Sequence, residues 1–219
     1  MLEYATEDLS PDEIAAETEL YGSFTQSVRE LVDATLRTEV DRAEILAVQE
    51  QVDALTARLR VAQTPGPFGV RMSSKGSVRN HGNAVVGLRN AVAPPLTVER
   101  SGTGRAWADF HLGAAYEGPP GLVHGGVTAL LLDQICGEAA ADGGAPGMTG
   151  TLTLRYRRGT PLGALHAEAH LDRVEGVKTF VVGHLADAEG VTVECEGVFI
   201  LPRWAREMVS DEGTRAVFE

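Results

Sequence analysis

The sequence predicts an α+β fold in which one antiparallel β-sheet wraps around a central helix, with a helical extension at the N-terminus. Six short β-type runs lie beyond residue 95, two before and four after one strongly apolar helical segment. No further helices alternate with these runs, as a parallel doubly wound sheet would require. A sheet of about six strands can bury a helix that is apolar on all sides only if it curls around that helix.

The first 62 residues predict two helices. Residues 10–13 (Ser-Pro-Asp-Glu) match a capping box with proline in the first turn, so a short helix is expected from there to about Tyr21. After Gly22-Ser23, apolar residues recur at helical spacing among charged ones, which predicts a long amphipathic helix over residues 24–62. We expect this extension to pack on the main domain or on a partner subunit.

Charge and composition exclude several classes of protein. The 219-residue chain has a net charge of −12, and its first 62 residues carry 14 acidic and 5 basic side chains. Because such a segment repels phosphate backbones, we expect no nucleic-acid partner. No apolar run is long enough to span a membrane and the N-terminus is acidic, so a cytoplasmic protein is expected. Cys136 and Cys195 match no metal or redox spacing, and we interpret them as reduced core thiols.

Residues 63–95 are rich in Gly, Pro and Ser and predict a linker with one short turn of structure. The main domain is expected over residues 96–202, followed by a C-terminal tail at 203–219. Its strands are expected at residues 96–100, 105–112, 149–158, 164–174, 178–186 and 191–201, the last four as a meander. Between residues 71 and 105, basic side chains face only Glu99. We interpret them as solvated surface, with a phosphorylated small molecule as the alternative; they are Arg71, Lys75, Arg79, Arg89, Arg100 and Arg105.

Asp133 is an anomaly in the central helix, which is expected between Leu122 and Ala141. Its neighbours at three and four residues carry no positive charge; they are Ala129, Leu130, Cys136 and Gly137. An isolated buried carboxylate is costly. Asp133 therefore either bonds to a polar group from elsewhere in the core or lines a cleft in which poor solvation is useful.

The segment His124-Gly125-Gly126 precedes this carboxylate at the start of the helix. Glycines allow a ligand to approach the backbone, and the first turn of a helix offers unpaired N–H groups at its positive end, so an anion or oxyanion site is expected. The alternative is a plain Gly-Gly turn with a histidine cap.

Gly126 and Asp133 lie seven residues apart, which is about 10 Å along one helix, so one carbonyl group cannot contact both. If the two residues act together, they belong to different subunits. An antiparallel pair of these helices about a two-fold axis would create two composite sites in a dimer.

These residues resemble the hotdog-fold acyl-CoA thioesterases of the phenylacetate-pathway and thioesterase-superfamily-member type. The resemblance rests on His124-Gly125-Gly126 with Asp133 nine residues after the histidine. It extends to residues 116–121 (Tyr-Glu-Gly-Pro-Pro-Gly), 149–156 (Thr-Gly-Thr-Leu-Thr-Leu-Arg-Tyr) and 196–199 (Glu-Gly-Val-Phe). It covers about residues 90–202 and does not include the extension.

The resemblance implies a hotdog fold, a homodimer or dimer of dimers, and hydrolysis of acyl-CoA without a metal or a cofactor other than the CoA of the substrate. It further implies that the Gly126 N–H polarises the thioester carbonyl, with Gly125 beside it against the substrate and His124 as a positioning group. Asp133 would act as nucleophile or general base. The hydroxyl of Thr149, or alternatively that of Thr151, would hold the water; the candidates for the CoA phosphates are Arg155, Arg157 and Arg158.

Two other signals are interpreted as structural. On a strand, His166, Glu168 and His170 share one face, which is typical of a solvated outer face and does not have a zinc-protease spacing. No phosphate-binding loop or Gly-x-Ser-x-Gly elbow is present in the sequence, so nucleotide-driven and serine-hydrolase chemistry lack support.

The sequence thus favours hydrolysis of acyl-CoA thioesters to a free acid and CoA. The alternative on the same scaffold is a non-catalytic protein that binds or senses acyl-CoA without turnover. A third hypothesis is a scaffold protein whose long acidic helix is the working surface. The acyl group is left open, because the depth of the pocket depends on how the helices pair.

Overall fold

The computed structural model describes residues 5–73, 78–94 and 96–203. Contacts divide the chain into two units. The helical unit comprises residues 5–83 and Leu88–Ala91, and the sheet unit comprises Ala84–Gly87 and the residues from Val92 onward. Two features of the sequence, Lys75 in the basic segment and residues 204–219 of the tail, lie outside the described residues.

The helical unit contains two helices and three short strands. They are β1 (Ala5–Glu7), α1 (Pro11–Arg37), α2 (Arg42–Arg60), β2 (Arg71–Ser73) and β3 (Val78–Arg79). β2 pairs in parallel with β1 and antiparallel with β3. At the start of α1, Ser10 and Glu13 form the expected capping box. Arg79 connects the small sheet to α1 through ion pairs with Glu7 and Glu17.

The break between the two helices lies at residues 38–41, and the predicted break at Gly22-Ser23 is wrong. α1 passes through Gly22 without interruption, since a single glycine inside a helix costs only about 1 kcal/mol. A Cβ atom at Gly22 would lie 3.4 Å from Leu88, so its absence also leaves room for this neighbour. α2 begins after Asp41, whose carboxylate accepts a hydrogen bond from the Glu44 N–H.

Residues 63–95, interpreted from the sequence as a linker, contain more structure than the single turn expected. β2 and β3 belong to this segment, and its residues are divided between the two units. Val85 and Ala93 are buried in the sheet unit, because short apolar stretches between the Gly and Pro residues can still join a core.

The solvated surface predicted for the basic residues between 71 and 105 is present only in part, because Arg89, Arg100 and Arg105 are exposed but Arg79 is buried. Arg79 is buried against Glu7 and Glu17, and Arg100 and Arg105 pair with Glu138 and Glu168. Their acidic partners lie between 38 and 72 residues away along the chain, which a count of neighbouring charges cannot detect.

The sheet unit has the predicted architecture of six antiparallel strands around one helix. Its elements are β4 (Glu99–Arg100), β5 (Arg105–Leu112), a 3-10 helix (Ala114–Tyr116), α3 (Gly125–Asp142), β6 (Met148–Tyr156), β7 (Gly163–Glu175), β8 (Lys178–Asp187) and β9 (Gly190–Ile200). The strands are arranged in the order β4-β5-β7-β8-β9-β6. α3 packs mainly on β5, β7 and β8.

The four strands after α3 do not form a single meander, contrary to the prediction. β7, β8 and β9 are joined by hairpins, but β6 lies at the edge of the sheet beside β9. The connection at residues 157–162 therefore passes across the sheet instead of making a hairpin. Strand alternation identifies each strand and its faces, but it does not specify which neighbour pairs with it.

α3 buries one side against the sheet and leaves the other side partly open. The buried residues are Thr128, Leu131, Leu132, Ile135, Cys136, Ala139 and Ala140. On the opposite side, Gly126 and Leu130 are exposed and Asp133 is half-buried. The apolar sequence predicted a helix buried on all sides, and this prediction is wrong. Among the described residues, no helix combines the length and apolar character needed to cross a membrane.

Asp142 anchors the C-terminal end of α3 to the turn between β4 and β5. Its carboxylate accepts backbone hydrogen bonds at 2.7 to 3.1 Å from residues 102–105 and one at 3.1 Å from the hydroxyl of Ser101. Gly102 and Gly104 have positive φ angles of 79° and 93°, which direct these N–H groups to one point. Burial raises the pKa of Asp142, but the hydrogen bonds from Gly104 and Gly102 outweigh it, so the net pKa lies below the usual value.

Replacing Asp142 by Asn should destabilise the sheet unit in a pH-dependent way. The pKa is lowered in the folded state, so the stabilisation is fully present above the unfolded pKa, near 3.8, and disappears as the pH falls through the folded value. At pH 7 we expect Asp142→Asn to lower the free energy of unfolding by about 1–3 kcal/mol. Urea unfolding from pH 7 down to pH 2 measures this difference.

The exposed Glu99→Gln in β4 is the matched control and should leave the free energy of unfolding nearly unchanged. An Asp142→Asn variant as stable as the wild type at pH 7, or a deficit that does not shrink in acid, would contradict the role given to this carboxylate.

Candidate functional site

The first turn of α3 is capped by a histidine side chain. His124 lies directly before the helix in an extended conformation, and its Nδ1 atom accepts a hydrogen bond from the Gly126 N–H at 3.0 Å. The His124 N–H donates to the Tyr116 carbonyl at 2.9 Å. A Cβ atom at Gly118 would lie 2.7 Å from the His124 Cα, so this position requires glycine. The loop before α3 thus holds His124 firmly in the capping position.

The peptide group between Gly125 and Gly126 is held at both ends. Its carbonyl accepts hydrogen bonds from the Tyr156 hydroxyl at 2.8 Å and the Thr128 hydroxyl at 2.7 Å, while its N–H donates to His124. Tyr156 is the last residue of β6, so the edge strand fixes the orientation of the first peptide of the helix. The direction of the Gly126 N–H is therefore set by three side chains.

Asp133 bonds to a hydroxyl from the same edge strand. The Thr149 Oγ1 donates to the Asp133 Oδ1 at 2.7 Å. A bulge at Gly150 shifts the register between β6 and β9, so that Thr149 and Thr151 do not continue the regular alternation. Of these two threonines, Thr149 is the one that reaches the carboxylate. The polar partner required by a carboxylate in an apolar helix is thus supplied by β6.

The sequence pointed to three arginines, and all three are ion-paired. Arg158 is the most strongly held: it bonds to both carboxylate oxygens of Asp187 and to the Gly190 carbonyl. Arg157 donates to Glu194 at 3.0 and 2.5 Å. Arg155 makes a single contact of 3.5 Å with Glu196, and 60% of its side chain is exposed. Arg155 is therefore the least constrained of the three arginines.

These ion pairs shift the pKa values of the acidic partners. The hydrogen bond from Arg158 lowers the pKa of Asp187 to about 2. The hydrogen bond from Arg157 lowers the pKa of Glu194. A phosphate that approached either arginine would therefore have to displace an ionised carboxylate.

A cavity of about 190 Å³ lies over β6, β8 and β9. It is lined by Thr153, Arg155, Val182, Gly183, Glu194, Cys195 and Glu196. Two glutamates and one arginine give its wall a net negative charge. Gly126 and Asp133 do not line this cavity.

The outer face of the sheet carries the histidines of β7. His166 bonds to Asp109 at 2.8 Å, and Glu168 accepts two hydrogen bonds from Arg105. The bond from Arg105 lowers the pKa of Glu168. Among the described residues, no group of three or more His, Cys, Asp or Glu side chains is arranged to hold a metal ion.

Cys136 and Cys195 are free thiols that meet inside the core, with their sulfur atoms 3.4 Å apart. Both side chains are buried. The hydrogen bond with Cys195 and burial raise the pKa of Cys136, which keeps this thiol protonated. Cys136 lies one helical turn beyond Asp133 and packs on β9.

The structure brings together His124 with Gly126, and Asp133 with Thr149, but it does not bring these two pairs to a common point on one helix. The contacts of Tyr156 and Thr128 with the Gly125 carbonyl were not predicted from the sequence. Tyr156 ends the segment 149–156 used for the resemblance, and a hydroxyl at the end of a strand beside a glycine turn is a signal that could have identified it. Thr128 lies one turn after Gly125, and a threonine inside a helix commonly donates its hydroxyl hydrogen bond to a carbonyl of the preceding turn.

Comparisons with known proteins converge on one family. The family model described as the thioesterase superfamily matches residues 120–194. A crystal structure of a thioesterase superfamily protein is similar to this chain with a TM-score of 0.74 and 36% identity, covering 82% of this chain and 94% of that one. The similarity to this crystal structure therefore covers most of the chain.

Named relatives match over a shorter stretch. Acyl-coenzyme A thioesterase THEM5 of Homo sapiens is 31% identical over 94 residues, which covers 42% of this chain and 38% of the human protein. Acyl-coenzyme A thioesterase THEM4 of Xenopus laevis is 36% identical over 72 residues, or 32% of each chain. The chain therefore matches well under half of the length of these relatives.

Replacing His124 by Ala should destabilise α3 by removing its cap. The Gly126 N–H would lose its acceptor, and loss of a side-chain N-cap typically costs about 1 kcal/mol. His124→Asn offers a replacement oxygen and should recover much of this loss. Urea unfolding of both variants measures the effect, with the exposed His111→Ala as the matched control. Equal stability of His124→Ala and wild type would show that the hydrogen bond contributes nothing.

Proposed function

Because the chain belongs to the thioesterase superfamily, we propose that it hydrolyses acyl-CoA thioesters to a free acid and CoA. The observation that carries this proposal is the hydrogen bond of 2.7 Å between the Thr149 hydroxyl and the Asp133 carboxylate. It supports the proposal because it joins the carboxylate proposed as the acid–base group, on the partly open side of α3, to the hydroxyl proposed to hold the water. The relatives named acyl-coenzyme A thioesterases support the choice of substrate class.

The Gly126 N–H is the proposed donor to the thioester carbonyl. As the carbonyl carbon is attacked, negative charge develops on its oxygen, and an oriented backbone N–H at a helix N-terminus stabilises that charge. Tyr156 and Thr128 hold the Gly125 carbonyl and so maintain the direction of this N–H. The substrate oxygen takes the place of His124 Nδ1, which accepts this hydrogen bond in the free protein.

Asp133 supplies the attacking group. As a general base, it takes a proton from a water held by Thr149, the resulting hydroxide attacks the carbonyl carbon, and the proton passes to the departing CoA sulfur. As a nucleophile, it attacks the carbonyl directly, releases CoA and forms an anhydride that water then hydrolyses. Both routes use protein groups and water only. Thr151 is the alternative residue for holding the water, and Arg155 is the arginine most available for a CoA phosphate.

The catalytic unit is proposed to be a homodimer or a dimer of dimers. Gly126 and Asp133 lie seven residues apart on α3, about 10 Å along its axis, so one substrate carbonyl cannot contact both. The side of α3 that carries them is the side left open by the sheet. A second copy of α3, antiparallel to the first, completes the site with its own Asp133.

Asp133→Asn should reduce kcat at least about 100-fold, the lower range of acid–base contributions. Thr149→Val should have a smaller effect of about tenfold, equivalent to the loss of one hydrogen bond. Free-thiol release from short, medium, long and aromatic acyl-CoAs measures both, with the exposed Glu189→Gln as the control that keeps wild-type turnover.

Near-normal turnover by Asp133→Asn would overturn the catalytic assignment. Binding of acyl-CoA without thiol release across the whole panel would instead support the non-catalytic binding protein. An unchanged far-ultraviolet spectrum of each variant separates either result from misfolding.

Mixing two inactive variants should restore activity if the site is composite. Gly126→Pro removes the proposed donor N–H in the first turn of α3, where the N–H groups have no intrahelical partner, and Asp133→Asn removes the carboxylate. Random reassociation of equal amounts makes about half of the dimers mixed. Each mixed dimer has one intact site out of two, so the expected turnover is about one quarter of the wild-type value. Activity that stays at the level of the separate variants, despite subunit exchange shown by a tagged copy, would place both groups in one subunit.

A further inference from the structure

α2 carries an apolar seam that its own chain covers only in part, with Val48 and Val52 half-buried. Five apolar residues recur at alternating intervals of three and four; they are Ile45, Val48, Val52, Leu55 and Leu59. The three largest are 43%, 52% and 57% exposed, in the order Ile45, Leu55 and Leu59. α2 buries none of its 19 residues. An exposed row of this kind in a folded protein indicates a contact surface.

The spacing specifies the kind of partner. Intervals of three and four repeat every seven residues and form the seam of a coiled coil, with Ile45, Val52 and Leu59 at one core position and Val48 and Leu55 at the other. Leu46 is exposed beside the first turn of this seam. Among the described residues, no other element packs extensively on α2. The seam therefore fits another helix with the same repeat.

The charges of α2 select the direction of that helix. Residues 41–53 carry four acidic side chains and one basic one, whereas residues 54–62 carry two arginines and no acid. Two parallel copies would place the acidic part of each helix beside the acidic part of the other, with no opposite charges facing each other across the seam. Two antiparallel copies place the acidic part of each helix against the basic end of the other and also oppose their macrodipoles.

We propose that α2 pairs with α2 of a second copy of this chain as an antiparallel two-helix coiled coil. In the register centred near residue 50, Ile45 packs on Leu55 of the other copy, and Val48 packs on Val52. Glu44 and Arg58 flank the seam on the same side, so each Glu44 faces Arg58 of the other copy. In a parallel pair, the same two residues would face only the uncharged Gln49 and Gln63.

The pairing is expected to reinforce association rather than to be its only cause. A helix of 19 residues is about 28 Å long, and isolated helices of this length are marginal in water. Where copies are already joined through another surface, the pairing becomes intramolecular and gains from a high effective concentration. This inference does not depend on the proposed hydrolysis, because α2 carries none of the proposed catalytic residues.

Disulfide trapping tests both the partner and the direction. In the full-length double variant Ile45→Cys/Leu55→Cys, mild oxidation should give a covalent dimer, because each introduced cysteine meets the other position of the second copy. Within one chain these positions are about 15 Å apart along the helix, too far for a disulfide. Each single variant should remain uncrosslinked, because identical positions are far apart in an antiparallel pair. Non-reducing electrophoresis measures all three variants.

The matched control is Ala43→Cys/Ala57→Cys, which has the same central residue but lies on the face opposite the seam, and it should give no dimer. Wild type treated in the same way accounts for Cys136 and Cys195. A double variant that stays monomeric under oxidation would overturn the pairing and leave the seam to a different partner. Covalent dimers from either single variant would overturn the antiparallel direction.

Discussion

The burial of one side of α3 against the curled sheet is the constraint on which the rest of the structure depends. Leu131, Leu132 and Ile135 are fully buried on the sheet side, which fixes the rotation of the helix about its axis. That rotation determines what the other side presents. Gly126, Leu130 and Asp133 come to the open side because the apolar residues between them are committed to the core.

The two ends of α3 are held in different ways. At its C-terminal end, the Asp142 carboxylate collects five donors from a turn that packs on the helix. At its N-terminal end, the contacts come from the side chains of His124 and Tyr156, beside the proposed oxyanion donor. The rigid anchor is thus separated from the proposed chemistry by the length of the helix. This separation of the two ends suits a site whose hydrogen-bond partners change on ligand binding while the core stays packed.

Local patterns in the sequence predicted most of the sheet unit. Alternation located β5 to β9 to within a few residues, and the Gly-Gly segment located the start of α3. The position of β6 beside β9 was missed because pairing between distant strands leaves no local trace. The helix break was misplaced because Gly22 is a weak interruption, whereas Asp41 is an effective cap. The hydroxyl of Tyr156 and the ion pairs of the arginines depend on residues brought near by the fold, which spacing along the chain does not encode.

The hydrogen bond between His124 and Gly126 has a consequence for how binding energy is distributed. A neutral thioester oxygen that takes the place of the imidazole nitrogen exchanges one neutral acceptor for another, so this exchange adds little to the affinity for substrate. An oxyanion at the same position makes a charge-assisted hydrogen bond of about twice the strength. In the proposed reaction, the resting cap therefore cancels the ground-state benefit of this donor and leaves its advantage to the charged transition state. A contact of this kind increases kcat rather than the affinity for substrate.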